Sequence, residues 1–404
     1  MTLEQSILLE LVASAITKKP VQLPDAATDA DWRLVMKEAA WQAVLLLAVD
    51  AAAKIPDVFT KENYPQEYRR TYTSLVSCAK VEKSQKDLID LLIAHNKPYV
   101  ILKGTACAAY YPNPELRSLG DVDFLIAPND RNEIETLLLD AGYKREQENH
   151  DCHTVFRKPD AHLEMHYKVA GIPNGEIGEK VSAFLESIFA KPVLRQTKLG
   201  VFNAPQDVFH GLIILLHMQH HMLGEGLGLR HLCDWACFVQ KTGGMAFWDE
   251  TLLPFLKEIG LLQYAAVMTK TSARYLKTDC PEWAKAAPDL LCEGVIEDIL
   301  AGGNFGKKDD ARAKSGMMVS NRGKDGTRHG KLYYLCSTLA TSVRIHHPIV
   351  KRIPPFFLVF FLTRATRYLW RSLIGKRPSF GKMLPKAQER QSLYKQLHIF
   401  EVES

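Results

Sequence analysis

The sequence predicts an α+β protein, in which a small mixed β-sheet core is flanked by N-terminal and C-terminal helical regions. Three observations predict it. Apolar residues recur at three- and four-residue spacing through 1–95, short apolar and β-branched runs replace that spacing over 96–205, and helical spacing returns over 206–404. A chain of 404 residues also exceeds what one hydrophobic core usually covers, which fits a division at these points.

In the first region, 3–16, 32–53 and 68–95 are expected as helices, with Pro20, Pro24 and Pro56 marking the breaks. No catalytic cluster stands out there, so its role is packing. Next, Tyr99-Val-Ile-Leu-Lys-Gly104 reads as a short buried strand broken at Gly104, followed by the helix-prone Thr105-Ala-Cys-Ala-Ala-Tyr-Tyr111. The stretch Arg117-Ser-Leu-Gly-Asp-Val-Asp-Phe-Leu-Ile126 turns apolar after Asp121 and Asp123 and reads as a second strand. Strand side chains alternate faces, so these two carboxylates project to one side.

Pro128-Asn-Asp130 punctuates the chain, and 131–141 forms an amphipathic helix ending near Gly142. Then 154–157 and 162–169 read as strands joined by the turn Lys158-Pro-Asp-Ala161. On the second of these His162, Glu164 and His166 share one face, and Leu163, Met165 and Tyr167 the other. An acid flanked by two histidines does not suit an apolar core. From 206 a helix runs to 223 and carries His217, His220 and His221, then Gly224-Glu-Gly-Leu-Gly228 leads to a helix over 229–241 with Arg230, Asp234 and Trp235. Residues 302–330, rich in Gly, Lys, Asp, Arg and Ser, are expected as a mobile or poorly packed connection.

A net charge of +5 gives no general argument for nucleic-acid binding. The eight cysteines are scattered; Cys233 and Cys237, one helical turn apart, read as packed thiols because no second close pair accompanies them. The N-terminus lacks the pattern of a signal peptide, which makes the cytoplasm the expected compartment. No run of about 20 apolar residues exists to span a bilayer. Over 351–390 the basic residues Lys351, Arg352, Arg364, Arg367, Arg371, Lys376, Arg377, Lys382, Lys386 and Arg390 face one acid, Glu389, with aromatics interleaved. This segment reads either as a peripheral contact for an anionic membrane or polyanion, or as a terminal helix packing its aromatics on the protein.

Asp121, Asp123 and Glu164 together offer hard oxygen donors from two strands, which suits magnesium ions that bridge the phosphates of a nucleotide. A strand breaking at Gly104 into a helix N-terminus adds a phosphate cradle. Lys103 has two readings, on a phosphate or on the carboxylates themselves. Arg117 either neutralises a phosphate or braces the acids. Arg230 either pairs with Asp234 at i, i+4 or closes over the nucleotide with its helix. The histidines at 217, 220 and 221 have ligand-like spacing but lack a zinc-protease glutamate, which favours a capping or partner-contact role.

The order Leu102-Lys-Gly104, Tyr111-Pro-Asn-Pro-Glu-Leu-Arg117, Gly120-Asp-Val-Asp123 and Leu163-Glu-Met-His166 resembles the polymerase-beta-like nucleotidyltransferase superfamily. More narrowly it resembles the bacterial uncharacterised nucleotidyltransferase family, densely over 98–168 and more thinly around Gly228-Leu-Arg-His-Leu-Cys-Asp-Trp235. The resemblance implies that 96–205 is a nucleotidyltransferase core. It implies transfer of a nucleoside monophosphate from an NTP to an unidentified hydroxyl acceptor, with two Mg2+ ions assisting. By that analogy Asp121 and Asp123 bind both metals, Glu164 completes the site, and Gly104 and Thr105 present backbone N–H groups to the triphosphate. The superfamily commonly has Gly-Ser at the turn, so here Thr105 or Lys103 would have to replace the serine. The rival expectations are a catalytically silent nucleotide-binding accessory protein of envelope polysaccharide or peptide biosynthesis, and a membrane-surface adaptor. The enzyme reading requires Glu164 to face the two aspartates and Lys103 not to block them permanently.

Overall fold

The computed structural model of the protein describes residues 1–146, 152–309, 311–312, 336, 339–340, 343–344, 347–351, 355–373 and 380–401. The first region folds into α1 (Leu3–Thr17), α2 (Trp32–Trp41), α3 (Leu45–Ala52) and α4 (Pro65–Ala94). The helix expected over 32–53 is therefore two. Ala43 turns left-handed at φ +58°, and the buried Gln42 before it bonds to the Ile299 carbonyl and receives the Leu229 N–H. The break lets one amide tie three segments together.

Five strands follow: β1 (Tyr99–Ile101), β2 (Val122–Ile126), β3 (Lys144–Arg145), β4 (His153–Lys158) and β5 (Ala161–His166), in the order β1-β2-β5-β4-β3. The sheet is mixed as expected: β2 and β5 run parallel and the other neighbours antiparallel. A parallel pair needs a long crossover. It runs through α6 (Arg131–Asp140), β3 and β4, while the single turn of α5 (Thr105–Ala108) lies earlier, between β1 and β2.

One face of the sheet is apolar, with Phe124, Phe156, Leu163 and Met165 packed on Leu88 and Leu92 of α4 and Leu138 of α6. Alternation then sends Asp121, Asp123, Glu164 and His166 to the opposite face. That face meets a second body of helices: after α7 (Glu176–Phe184) and the hairpin of β6 (Val193–Thr197) and β7 (Gly200–Ala204) come α8 (Asp207–Leu223) and α9 (Leu229–Thr242). The hairpin has no counterpart in the sequence reading. Further on are α10 (Leu253–Glu258), α11 (Leu262–Leu276), α12 (Glu282–Lys285) and α13 (Asp289–Gly302). The largest core joins both helical ends of the chain, with Leu8, Leu11 and Ala48 in one cluster with Leu215, Trp235 and Ile299. Cys233 and Cys237 are free thiols buried in it.

Much of the connection expected over 302–330 lies outside the described residues, as do Arg352, Lys376 and Arg377. The basic segment is also not one solvated face. Arg390, 1% exposed, donates to the Met222 and Arg312 carbonyls, and Lys386 pairs with Asp309. The helix Pro355–Leu373, by contrast, exposes Leu358, Val359, Leu362 and Trp370 together with Arg367 and Arg371. No described helix is long and apolar enough to cross a membrane.

Candidate functional site

The parallel register sets Asp123 directly opposite Glu164. Asp121 stands two residues earlier on the same face. Donor atoms of Asp121, His162 and Glu164 lie within 4.8 Å of one another, and so do those of Asp123, Glu164 and His166. Glu164 thus faces the paired aspartates. Among the described residues no hydrogen bond or ion pair holds Asp121, and burial followed by the nearby Asp123 charge raises its pKa.

Asp123 is the opposite case. It is 3% exposed, and its Oδ1 lies 2.5 Å from Lys103 Nζ and 3.0 Å from His166 Nε2. Burial works against its charge, but Lys103 and His166 outweigh that and hold its carboxyl well below the usual range. For His166, burial opposes the charged ring, yet bonds to Asp123, Cys152 and Glu164 keep its pKa up at about 10. Beside it the Cys152 thiol is lowered to about 6, because His153 and His166 prevail over burial. Two cations therefore converge on one carboxylate.

Lys103 reaches Asp123 because β1 continues one residue past its last ladder pair: Leu102 N–H donates to the Asp123 carbonyl at 3.0 Å. His210 of α8 lies 2.9 Å, through Nε2, from the Leu102 carbonyl, pinning the helix to this strand end. Gly104 then turns at φ +58°, a conformation that favours glycine. Of the two readings of Lys103, the structure shows the carboxylate partner. Its ammonium is also 3.1 Å from His217 Nε2.

Two expected phosphate contacts are corrected. The Thr105 hydroxyl is buried and donates to Gln85 Oε1 of α4 at 2.7 Å, so it does not stand in for the superfamily's serine. The helix that follows Gly104 spans four residues, too short for a substantial dipole. Arg117 is 6% exposed and grips Asp234 in a two-pronged pair, Nε to Oδ1 at 2.8 Å and Nη2 to Oδ2 at 2.7 Å. Its Nη1 donates to the neighbouring Ser118 carbonyl at 3.2 Å, and among the described residues it forms no ion pair with Asp121, Asp123 or Glu164. Tyr111 donates to the same Asp234 at 2.7 Å, which explains the Tyr-Pro...Arg segment as a clamp onto α9.

With Asp234 occupied, the Arg230–Asp234 pair does not form. Arg230 Nε is buried with no hydrogen-bond partner, and its guanidinium lies 5.7 Å from the Phe305 ring centroid. The histidines of α8 also turn inward. His217 and His221 bring their Nε2 atoms to 2.8 Å, and His231 of α9 completes a group whose ring nitrogens fall within 4.8 Å. His220 is exposed.

The sequence reading missed His166 as a partner of Asp123, and His231 and Asp234 as site-shaping groups. For His166 the signal was present in its alternation with Glu164; for His231 and Asp234 it lay in the familial stretch from Gly228 to Trp235.

A family model described as an uncharacterised nucleotidyltransferase matches residues 28–277, and the chain belongs to that family. Membership supports nucleotidyl transfer in general and a nucleotide as substrate. Neither a curated protein nor a solved structure matches the chain.

Proposed function

We propose that this member of the nucleotidyltransferase family moves a nucleoside monophosphate from an NTP to a hydroxyl acceptor, with two Mg2+ ions. The observation that carries the reading is the β2–β5 register, which gathers Asp121, Asp123 and Glu164 on one face of the sheet. The donor set fits magnesium: the acids are hard oxygen ligands, Asp121 has no partner among the described residues, and Asp123 already draws two cationic side chains. Magnesium held by these acids would neutralise the phosphates and lower the pKa of the acceptor hydroxyl. In the transfer the acceptor oxygen bonds to the α-phosphorus, the bond from that phosphorus to the α,β-bridging oxygen breaks, and pyrophosphate leaves. Glu164, whose pKa burial works to raise but the His166 bond and the Lys103 charge bring down, takes the acceptor proton. Gly104 and Thr105 would contribute backbone N–H groups, and Arg230 its guanidinium, to the triphosphate.

The test is incubation with labelled NTPs and magnesium, scoring pyrophosphate and labelled acceptor. Release by the wild type and its loss in Asp121→Asn and Asp123→Asn is the expected outcome; no release with any of the four NTPs would sink the reading. The Lys103–Asp123 contact favours a second reading, a nucleotide-binding protein without turnover. That reading expects nucleotide binding by calorimetry with no pyrophosphate. Separately, the exposed apolar and arginine side chains of Pro355–Leu373, a helix without a carboxylate, favour peripheral contact with an anionic membrane. Replacing Arg367 and Arg371 together by Glu should then abolish sedimentation with phosphatidylserine vesicles, and retained sedimentation removes the idea.

A further inference from the structure

A second polar cluster lies on α8 and α9, beside the acids and apart from them. His231 is 2% exposed, and its Nδ1 accepts the Gly228 N–H at 3.3 Å. An imidazole that accepts at Nδ1 carries its proton on Nε2 when neutral. That Nε2 is buried without a hydrogen-bond partner, as is Nε of the adjacent Arg230. Two orphaned N–H donors in consecutive residues call for an acceptor.

The surroundings specify its charge. His231 stands 5.3 Å from the His217 ring and 5.2 Å from the His221 ring, centroid to centroid, and Lys103 Nζ lies 3.1 Å from His217 Nε2. The ring pKa values of all three histidines are pushed well below the ordinary value, first by burial and then by neighbours that include Lys103, with Arg230 also pressing on His221 and His231. Three close histidines suggest zinc at first sight. But a dication would face Lys103 and Arg230, and His231 offers a donor hydrogen on Nε2 where a metal needs a lone pair. The same groups suit an anion. His217, His221 and Arg230 each retain partial exposure.

We propose that Arg230, His231 and Lys103, backed by His217 and His221, form a seat for a polyphosphate anion beside the acid cluster. It receives the β- and γ-phosphates of the incoming nucleotide and holds them as pyrophosphate leaves. This deepens the nucleotidyl-transfer reading and rests on it. It also gives this chain what its short α5 and its diverted Thr105 do not supply. Lys103 sits between the two halves, on Asp123 and on His217, so a phosphate tail in the seat draws the ammonium away from the aspartate.

Calorimetric titration of the full-length protein with sodium tripolyphosphate and with pyrophosphate, free of magnesium and nucleoside, tests the seat. The first anion reports the incoming tail and the second the leaving group. Binding by the wild type is expected, with affinity reduced about 10-fold or more in Arg230→Gln and in His231→Phe, while Asp121→Asn keeps or improves it. Melting temperatures identify any variant that fails to fold, in which case Arg230→Met and His231→Leu replace it. No binding by the wild type, or equal binding by the folded variants, overturns the proposal. So does stoichiometric Zn2+ uptake that His217→Ala abolishes. Tripolyphosphate binding without pyrophosphate release from NTPs would defeat the transfer reading and leave the seat standing; release unaffected by Arg230 and His231 would do the reverse.

Discussion

Two buried polar clusters lie on adjoining elements, and they are built on opposite terms. Around Asp234, Arg117 and Tyr111 satisfy both carboxylate oxygens at 2.7–2.8 Å. Around Asp121, Asp123 and Glu164 the accounts do not balance: among the described residues one aspartate has no hydrogen-bond or ion-pair partner, another has two cations, and Arg230 and His231 nearby keep orphaned nitrogens. A saturated buried network holds elements in place, whereas unsatisfied charge is retained only where something else completes it. The first cluster is therefore architecture, fastening α9 to the sheet, and the second is a place for ligands.

The largest effect should come from the unsatisfied side. Asp121→Asn is expected to lower nucleotidyl transfer by about 100-fold or more, measured as pyrophosphate release, with little change in urea stability, since no ion pair among the described residues is lost with it. Comparable loss of stability would erase the distinction between the clusters. On the satisfied side, Asp234→Asn or Arg117→Met leaves a buried charge alone and should cost about 3–5 kcal/mol in urea unfolding. A rise in KM for NTP without that destabilisation would return Arg117 to the phosphate.

An intermediate effect should follow pH. His210 is 0% exposed, and burial, against its bond to the Leu102 carbonyl, depresses its pKa to about 4 from the ordinary 6.5. Between those values the unfolded chain binds a proton that the folded state refuses. This contribution is thus complete above pH 6.5 and falls away as pH drops towards 4, by about 3 kcal/mol. Urea curves at pH 7.5, 5.5 and 4.5 should be flatter for His210→Asn; matching slopes would remove His210 as the cause. The smallest effect belongs to Thr105→Val, expected to lose about 1 kcal/mol of stability through the Gln85 bond with KM for NTP unchanged. A 10-fold rise in KM would show that the hydroxyl leaves Gln85 for a phosphate.

Residues 121–126 and 162–166 were legible because strand alternation is a local rule: once the two runs are strands, the acids share faces whatever the rest does. The helices at 3–17, 131–140, 207–223 and 229–242 were legible for the same reason, through their own periodicity. The split at Ala43 was not, since Gln42 beside it answers to distant partners; nor was the β6–β7 hairpin, a local pairing whose strands bury only Phe202 and Ala204 and so carry little apolar alternation.

By itself, then, the sequence determined the α+β class, the acidic strand pair and the family resemblance, all of which depend on spacing along the chain. Only the tertiary structure decided the partners of the long cationic side chains. Lys103, Arg117 and Arg230 each had two readings, and choosing between them depended on which carboxylate folding brought within reach. Asp234, over a hundred residues from Arg117, took that guanidinium, left Arg230 Nε without a hydrogen-bond partner among the described residues, and left Lys103 to Asp123.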